Sequence, residues 1–170
     1  MKYMLISIIM IAGVVMGNTF TVSARNRMEF IKSLESCVTG IVNAMTMRGM
    51  TLTRALSEAG DTGQDASIIF YRCSLIMKEH PGIEAQRAAT EAFHIEKPEG
   101  ADKEFIEKTA QFIGTISRAG TANQIDEAAA VFKASLYEMA EETKEIRMKR
   151  AKAARNLCLF SGIAIGIILI

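Results

Sequence analysis

Thr121–Ser161 reads TANQIDEAAAVFKASLYEMAEETKEIRMKRAKAARNLCLFS and contains neither glycine nor proline. Those two residues interrupt helices most readily, one through backbone entropy and the other through its missing N–H. Within the stretch Ile125, Ala128, Ala129, Phe132, Leu136, Met139 and Ile146 keep the spacing of one helical face. The pattern predicts a single long helix. Its charges are segregated: Glu138, Glu141, Glu142 and Glu145 precede Arg147, Lys149, Arg150 and Lys152, and Glu145 is placed to pair with Lys149 one turn on. Beyond them Leu157–Ile170, LCLFSGIAIGIILI, carries no charge. The helix is therefore expected to run from a charged domain into a membrane.

The other end of the chain has the same character. Met4–Val22, MLISIIMIAGVVMGNTFTV, is uncharged and as a helix covers nearly the roughly 30 Å of a hydrocarbon core. The C-terminal run is shorter, about 21 Å as a helix, and Lys152 and Arg155 would extend it by burying their stems while their charges reach the headgroups. Arg25, Arg27 and Lys32 follow the first run, and Arg147, Lys149, Arg150, Lys152 and Arg155 precede the second. With both membrane-facing ends basic, the positive-inside rule predicts a two-pass protein of the cell membrane with its middle in the cytoplasm. Arg25, Arg27, Arg150, Lys152 and Arg155 are the expected interface residues. The expected division is an N-terminal transmembrane helix over 1–24, a cytoplasmic helical domain over 25–155 and a C-terminal transmembrane helix over 156–170. Val22-Ser23-Ala24 also fits a signal-peptide cleavage site, which would leave a binding module anchored at its C-terminus.

Between the apolar ends the helical period persists. Phe30, Ile31, Leu34, Val38, Ile41 and Met45 form one stripe, stopping near Gly49. Thr51 is placed to cap a second helix with Leu52, Ala55, Leu56 and Ala59 inward and Gly60 at its end. A third carries Ile69, Cys73, Ile76 and Met77 inward and cannot pass His80-Pro81-Gly82. A fourth is expected over Ile83–Phe93. Asp102 is placed to cap a fifth, burying Phe105, Ile106, Thr109, Phe112, Ile113 and Ile116 and closed by Gly120. No alternating run predicts a strand, so the fold class is all-α: a bundle of about six helices flanked by the two transmembrane helices.

Few residues promise chemistry. His80 and His94 lie in separate loops with no cysteine at ligand spacing, so neither a metal nor another cofactor is expected. Lys108-Thr109 falls inside a helix, without the glycines of a phosphate-binding loop. Cys37, Cys73 and Cys158 are an odd number without framework spacing, and a net charge of +1 gives no footprint for nucleic acid. What remains concerns association. Gly13 and Gly17 form one G-x-x-x-G, Gly162 and Gly166 another, each letting membrane helices approach closely where lipid supplies no hydrophobic drive. Met45, Met47 and Met50 cluster where the first helix turns into the second, as filler or as an adaptable contact surface.

The arrangement as a whole resembles the stage III sporulation protein AB family, related to the F-protein domain of type II secretion and type IV pilus systems. The likeness is strongest over Asp102–Ile170, where an aromatic-to-glycine helix, an Arg-containing turn and a long helix lead into the last apolar run. Gly49-Met50-Thr51-Leu52-Thr53-Arg54-Ala55-Leu56 is similar to the element that opens the second helix of F-protein domains. The resemblance implies a non-enzymatic membrane scaffold in a secretion-like sporulation complex, a channel from mother cell to forespore. Its expected partners are the membrane, other subunits including a cytoplasmic ATPase (stage III sporulation protein AA-like), and a second copy as a possible homo-oligomer. A type II secretion or pilus platform protein is the alternative the same likeness allows.

Overall fold

In the computed structural model each break foreseen at glycine or proline separates two helices. The structure describes residues 2–147, 149, 152, 153, 156 and 160, with backbone alone for 2–21, 23, 24, 146 and 147. Among the described residues there are six α-helices and no strand: α1 Lys2–Thr46, α2 Leu52–Gly60, α3 Ser67–Glu79, α4 Ala85–Glu96, α5 Lys103–Arg118 and α6 Ala122–Glu142. The protein is all-α. Two compact units divide the chain, one of Glu29–Met139 and one of Met1–Met28 with Ala140–Ile170. Among the described residues no helix is long and apolar enough to cross a membrane. Most of the C-terminal run, and the side chains of the N-terminal one before Val22, lie outside the described residues. So do Cys158 and the side chain of Ile146.

In the unit Glu29–Met139, α2, α3, α4 and α5 pack each on the next. The stripe of α1 that begins at Phe30 is buried through Ala44, and the Phe30 ring meets that of Phe105 on α5 edge-on at 5.5 Å. Phe112 on α5 stacks on Phe132 on α6, with centroids 4.7 Å apart. Such aromatic pairs add about 0.5–1.5 kcal/mol to the burial of the rings themselves. They fix which faces of α1 and α6 meet α5. Gly49, at φ 61°, turns the chain after α1 so that the Met50 N–H reaches the carbonyl of Ala44.

The helix ends differ from the expectations in three places. Thr51 takes the extended backbone of an N-cap, but its side chain makes no cap bond. Its carbonyl instead accepts from the N–H groups of Arg54 and Ala55. Helix α4 passes the expected end at Phe93 and reaches Glu96, whose carboxylate accepts from Arg72 Nε on α3 at 2.6 Å. There Lys97 adopts the left-handed conformation, returns its N–H to the Phe93 carbonyl, and Pro98 prevents continuation. Helix α5 stops at Arg118, where Ala119 turns extended, while Gly120 donates its N–H to Gln124 Oε1. Asp102 caps α5 as expected, accepting from the Phe105 N–H.

The tightest packing is between α2 and α3. A Cβ at Gly60 would stand 2.5 Å from Tyr71 Cβ and 2.8 Å from its Cα, closer than carbon atoms approach. The last turn of α2 thus lies directly against the backbone of α3, and only a glycine fits. Gly60→Ala should force the two helices apart and lower stability by about 1–3 kcal/mol, read as a shift in the urea midpoint without a change in slope.

Candidate functional site at the paired chain ends

The inward stripes of the first and last helices each continue into a polar residue. On α1, Phe30, Leu34, Cys37 and Ile41 are buried, and the same phase one step earlier selects Arg27. On α6, Ile125, Ala129, Phe132, Leu136 and Met139 are buried, and the next position in the series is Thr143. Both polar residues are 1 % exposed. They meet within the unit formed by the chain ends, where Arg27 Nε donates to Thr143 Oγ1 at 2.9 Å across a separation of 116 residues. Both also interact with further neighbours. A guanidinium stays charged at any ordinary pH, so burying it is tolerable only where its N–H groups are hydrogen-bonded.

Thr143 opens a π-helical turn, Thr143–Arg147, directly after α6. Such turns are uncommon and tend to mark functional positions. The expected single helix therefore changes its winding at the residue that accepts from Arg27. Outside, Glu145 and Lys149 form the foreseen pair at 3.8 Å, exposed and worth little.

The basic residues grouped by sequence proximity separate here. Arg25 is exposed and Arg27 is buried, because residues two apart on a helix point about 200° away from each other. Phase with Phe30 and Leu34 was the signal that distinguishes Arg27. Lys152 is helical and exposed, whereas Arg150 and Arg155 lie outside the described residues. Gly13 and Gly17 fall within the backbone of α1, and Gly162 and Gly166 lie outside the described residues. The structure thus joins Arg27 to Thr143, a residue the sequence reading had not singled out.

The remaining chemistry-bearing groups are dispersed. Among the described residues no cluster of His, Cys, Asp or Glu could hold a metal ion. His80 and His94 are exposed, His94 with Nδ1 2.7 Å from the Thr90 carbonyl one turn earlier. Cys37 and Cys73 are free and buried. Burial raises the Cys37 pKa, partly offset by its contact with the Thr62 hydroxyl at 4.0 Å. Burial alone pushes the Cys73 pKa up to about 12.

An all-helical protein with a buried polar pair joining its two ends is the class these features define. Its match among known families is stage III sporulation protein AB, over residues 2–170. The chain belongs to that family, and its role is sporulation-related. No curated protein and no solved structure matches it.

Thr143→Val should remove the acceptor from a buried N–H of Arg27 and cost about 1–3 kcal/mol in urea unfolding. Thr143→Val and Arg27→Met should be less than additive in a double-mutant cycle, since the bond they share is lost in either single variant. Strictly additive losses would contradict the pairing.

Cys73 gives a pH dependence of definite sign. Its folded pKa of about 12 lies above the ordinary 9.0, so above pH 9 the unfolded chain releases a proton that the folded one keeps. Its contribution to stability is present below pH 9 and is lost as pH rises toward 12, at up to about 1.4 kcal/mol per unit. Unfolding of Cys73→Ala between pH 8 and about 11 should show a correspondingly shallower alkaline decline.

Proposed function

We propose that this chain is a non-enzymatic membrane scaffold of a secretion-like sporulation complex. In this reading both apolar runs span the cell membrane and the helical domain between them faces the cytoplasm. The observation that carries it is the pairing of the chain ends in one compact unit, with Arg27 on α1 bonded to Thr143 beyond α6. A protein anchored at both ends needs its two membrane-proximal segments side by side. The pair supplies that junction next to the apolar runs.

Family membership and the charge pattern support the same reading. Arg25 and Lys152 are exposed, and with Arg150 and Arg155 they would form a basic collar at anionic headgroups. The glycine pairs Gly13/Gly17 and Gly162/Gly166 would let the two spans pack on each other or on neighbouring subunits. The helical domain then serves as the docking part, meeting the complex's cytoplasmic ATPase in a channel between mother cell and forespore.

Native cysteines are poor topology probes, since Cys37 and Cys73 are buried. Ser117→Cys places a thiol at an exposed position of α5. In carbonate-washed membranes the chain should stay in the pellet, and a membrane-impermeant maleimide should label position 117 only after cells are opened. Labelling in intact cells would overturn the cytoplasmic placement. An intact mass beginning after Ala24 would replace the first span with a cleaved signal.

A further inference from the structure

An open groove of about 640 Å³ runs between α5 and α6 along the rings of Phe112 and Phe132. Both phenylalanines are nearly inaccessible, so they form its floor. Val131 lines it and is 68 % exposed, an unusual position for a β-branched apolar side chain in the middle of a helix. From Lys108 to Arg118 the α5 wall is eleven residues of helix, about 15 Å from first to last.

The polar groups in the lining are largely engaged with their own backbone. Thr115 Oγ1 donates to the Gln111 carbonyl at 2.8 Å, and Ser135 Oγ donates to the Phe132 carbonyl at 2.7 Å. Gln124 Oε1 accepts from the Gly120 N–H at 2.8 Å. A small polar ligand would have to compete with these bonds. An apolar surface would not. The charges are asymmetric: Lys108 and Arg118 stand on the α5 wall, against Glu127 on α6. Lys108 is held by Glu104 at 2.9 Å, while Arg118 is exposed at the end of the groove with its Nε bonded to the Gly114 carbonyl. That bond positions the guanidinium beside the groove.

We propose that the groove between α5 and α6 seats an amphipathic helix of another protein. About three turns of it would fit the 15 Å wall, with apolar side chains at i, i+3 or i+4, and i+7 over Phe112, Ala128 and Val131. Aspartate or glutamate along its α5-facing edge meets Arg118, the exposed cation at the end of the groove, since Lys108 is already paired with Glu104. The inference rests on the reading of this domain as a docking part, and assigns that docking a surface.

The test places p-benzoylphenylalanine at position 131 of the full-length chain in sporulating cells. Irradiation should join position 131 to a peptide of a second protein, and sequencing of the adduct should show the apolar spacing with a carboxylate residue at its edge. Arg118→Glu should lower the adduct yield about tenfold, and reversal of the partner's acid to lysine should restore it. Adducts with a second copy of this chain, with lipid, or with nothing would each overturn the proposal. Co-purification of the ATPase without an adduct at 131 would remove the groove and leave the docking reading intact, whereas loss of co-purification in the unmodified protein would end both. Because Val131 and Arg118 are exposed, the unfolding midpoints of the variants should match that of the parent. Should Arg118→Glu shift its midpoint, Arg118→Gln carries the same test, with a smaller loss of yield expected.

Discussion

A guanidinium buried within a helical protein constrains every element around it. Arg27 carries a full charge to 1 % exposure, and the bond from its Nε to Thr143 Oγ1 ties together residues 116 positions apart. Coulomb and hydration terms make this arrangement intolerant of displacement. If the segment holding Thr143 moved by a turn along α1, the guanidinium would lose this acceptor, and a buried N–H left without one costs about 1–3 kcal/mol. Apolar neighbours impose no such penalty, since leucine and isoleucine accept one another in many registers. The polar contact therefore helps to set the register where Arg27 and Thr143 meet.

The helical content was legible because its punctuation is chemical. Gly49, Pro81 and Pro98 each lie in a connection between helices, and Asp102 caps α5 through the bond its type predicts. Phase was legible too, as the buried faces of α1, α2, α5 and α6 follow the three- and four-residue steps read from the chain. The exceptions are instructive. Met45, Met77, Ile106 and Ala128 are only partly buried, since a residue at the edge of a helical stripe is covered only when a neighbour reaches it. The end of α4 was misplaced because the Arg72–Glu96 pair that extends it is a tertiary contact, invisible to local propensity.

The candidate site was legible only in part, for a different reason. Basic residues near an apolar run invite an interfacial reading, and proximity in sequence groups Arg25 with Arg27. Helix geometry divides them. The inward series through Phe30, Leu34 and Ile41 passes through Arg27, and the series through Leu136 and Met139 passes through Thr143. Each series is readable alone, but no local rule says that the two meet. The π-helical turn beginning at Thr143 was equally hidden, as it depends on what the helix packs against and not on residue type.

The location of the polar pair fits the proposed anchoring by two spans. In water, amphipathic helices find their register by burying apolar side chains, because misalignment leaves those side chains exposed. In lipid that penalty vanishes, since the acyl chains are as apolar as leucine, and helices associate through close packing and hydrogen bonds. Two spans drawn from runs as uniform as Met4–Val22 and Leu157–Ile170 contain little that would select one alignment. A polar pair next to the runs, buried where displacement is costly, can set the alignment that the proposed spans would inherit. That division of labour explains why arginine would be kept at a position where methionine would pack with less desolvation. On the proposed reading the glycine pairs would act after the polar pair, because close approach of two spans is useful only once they are held in a single register.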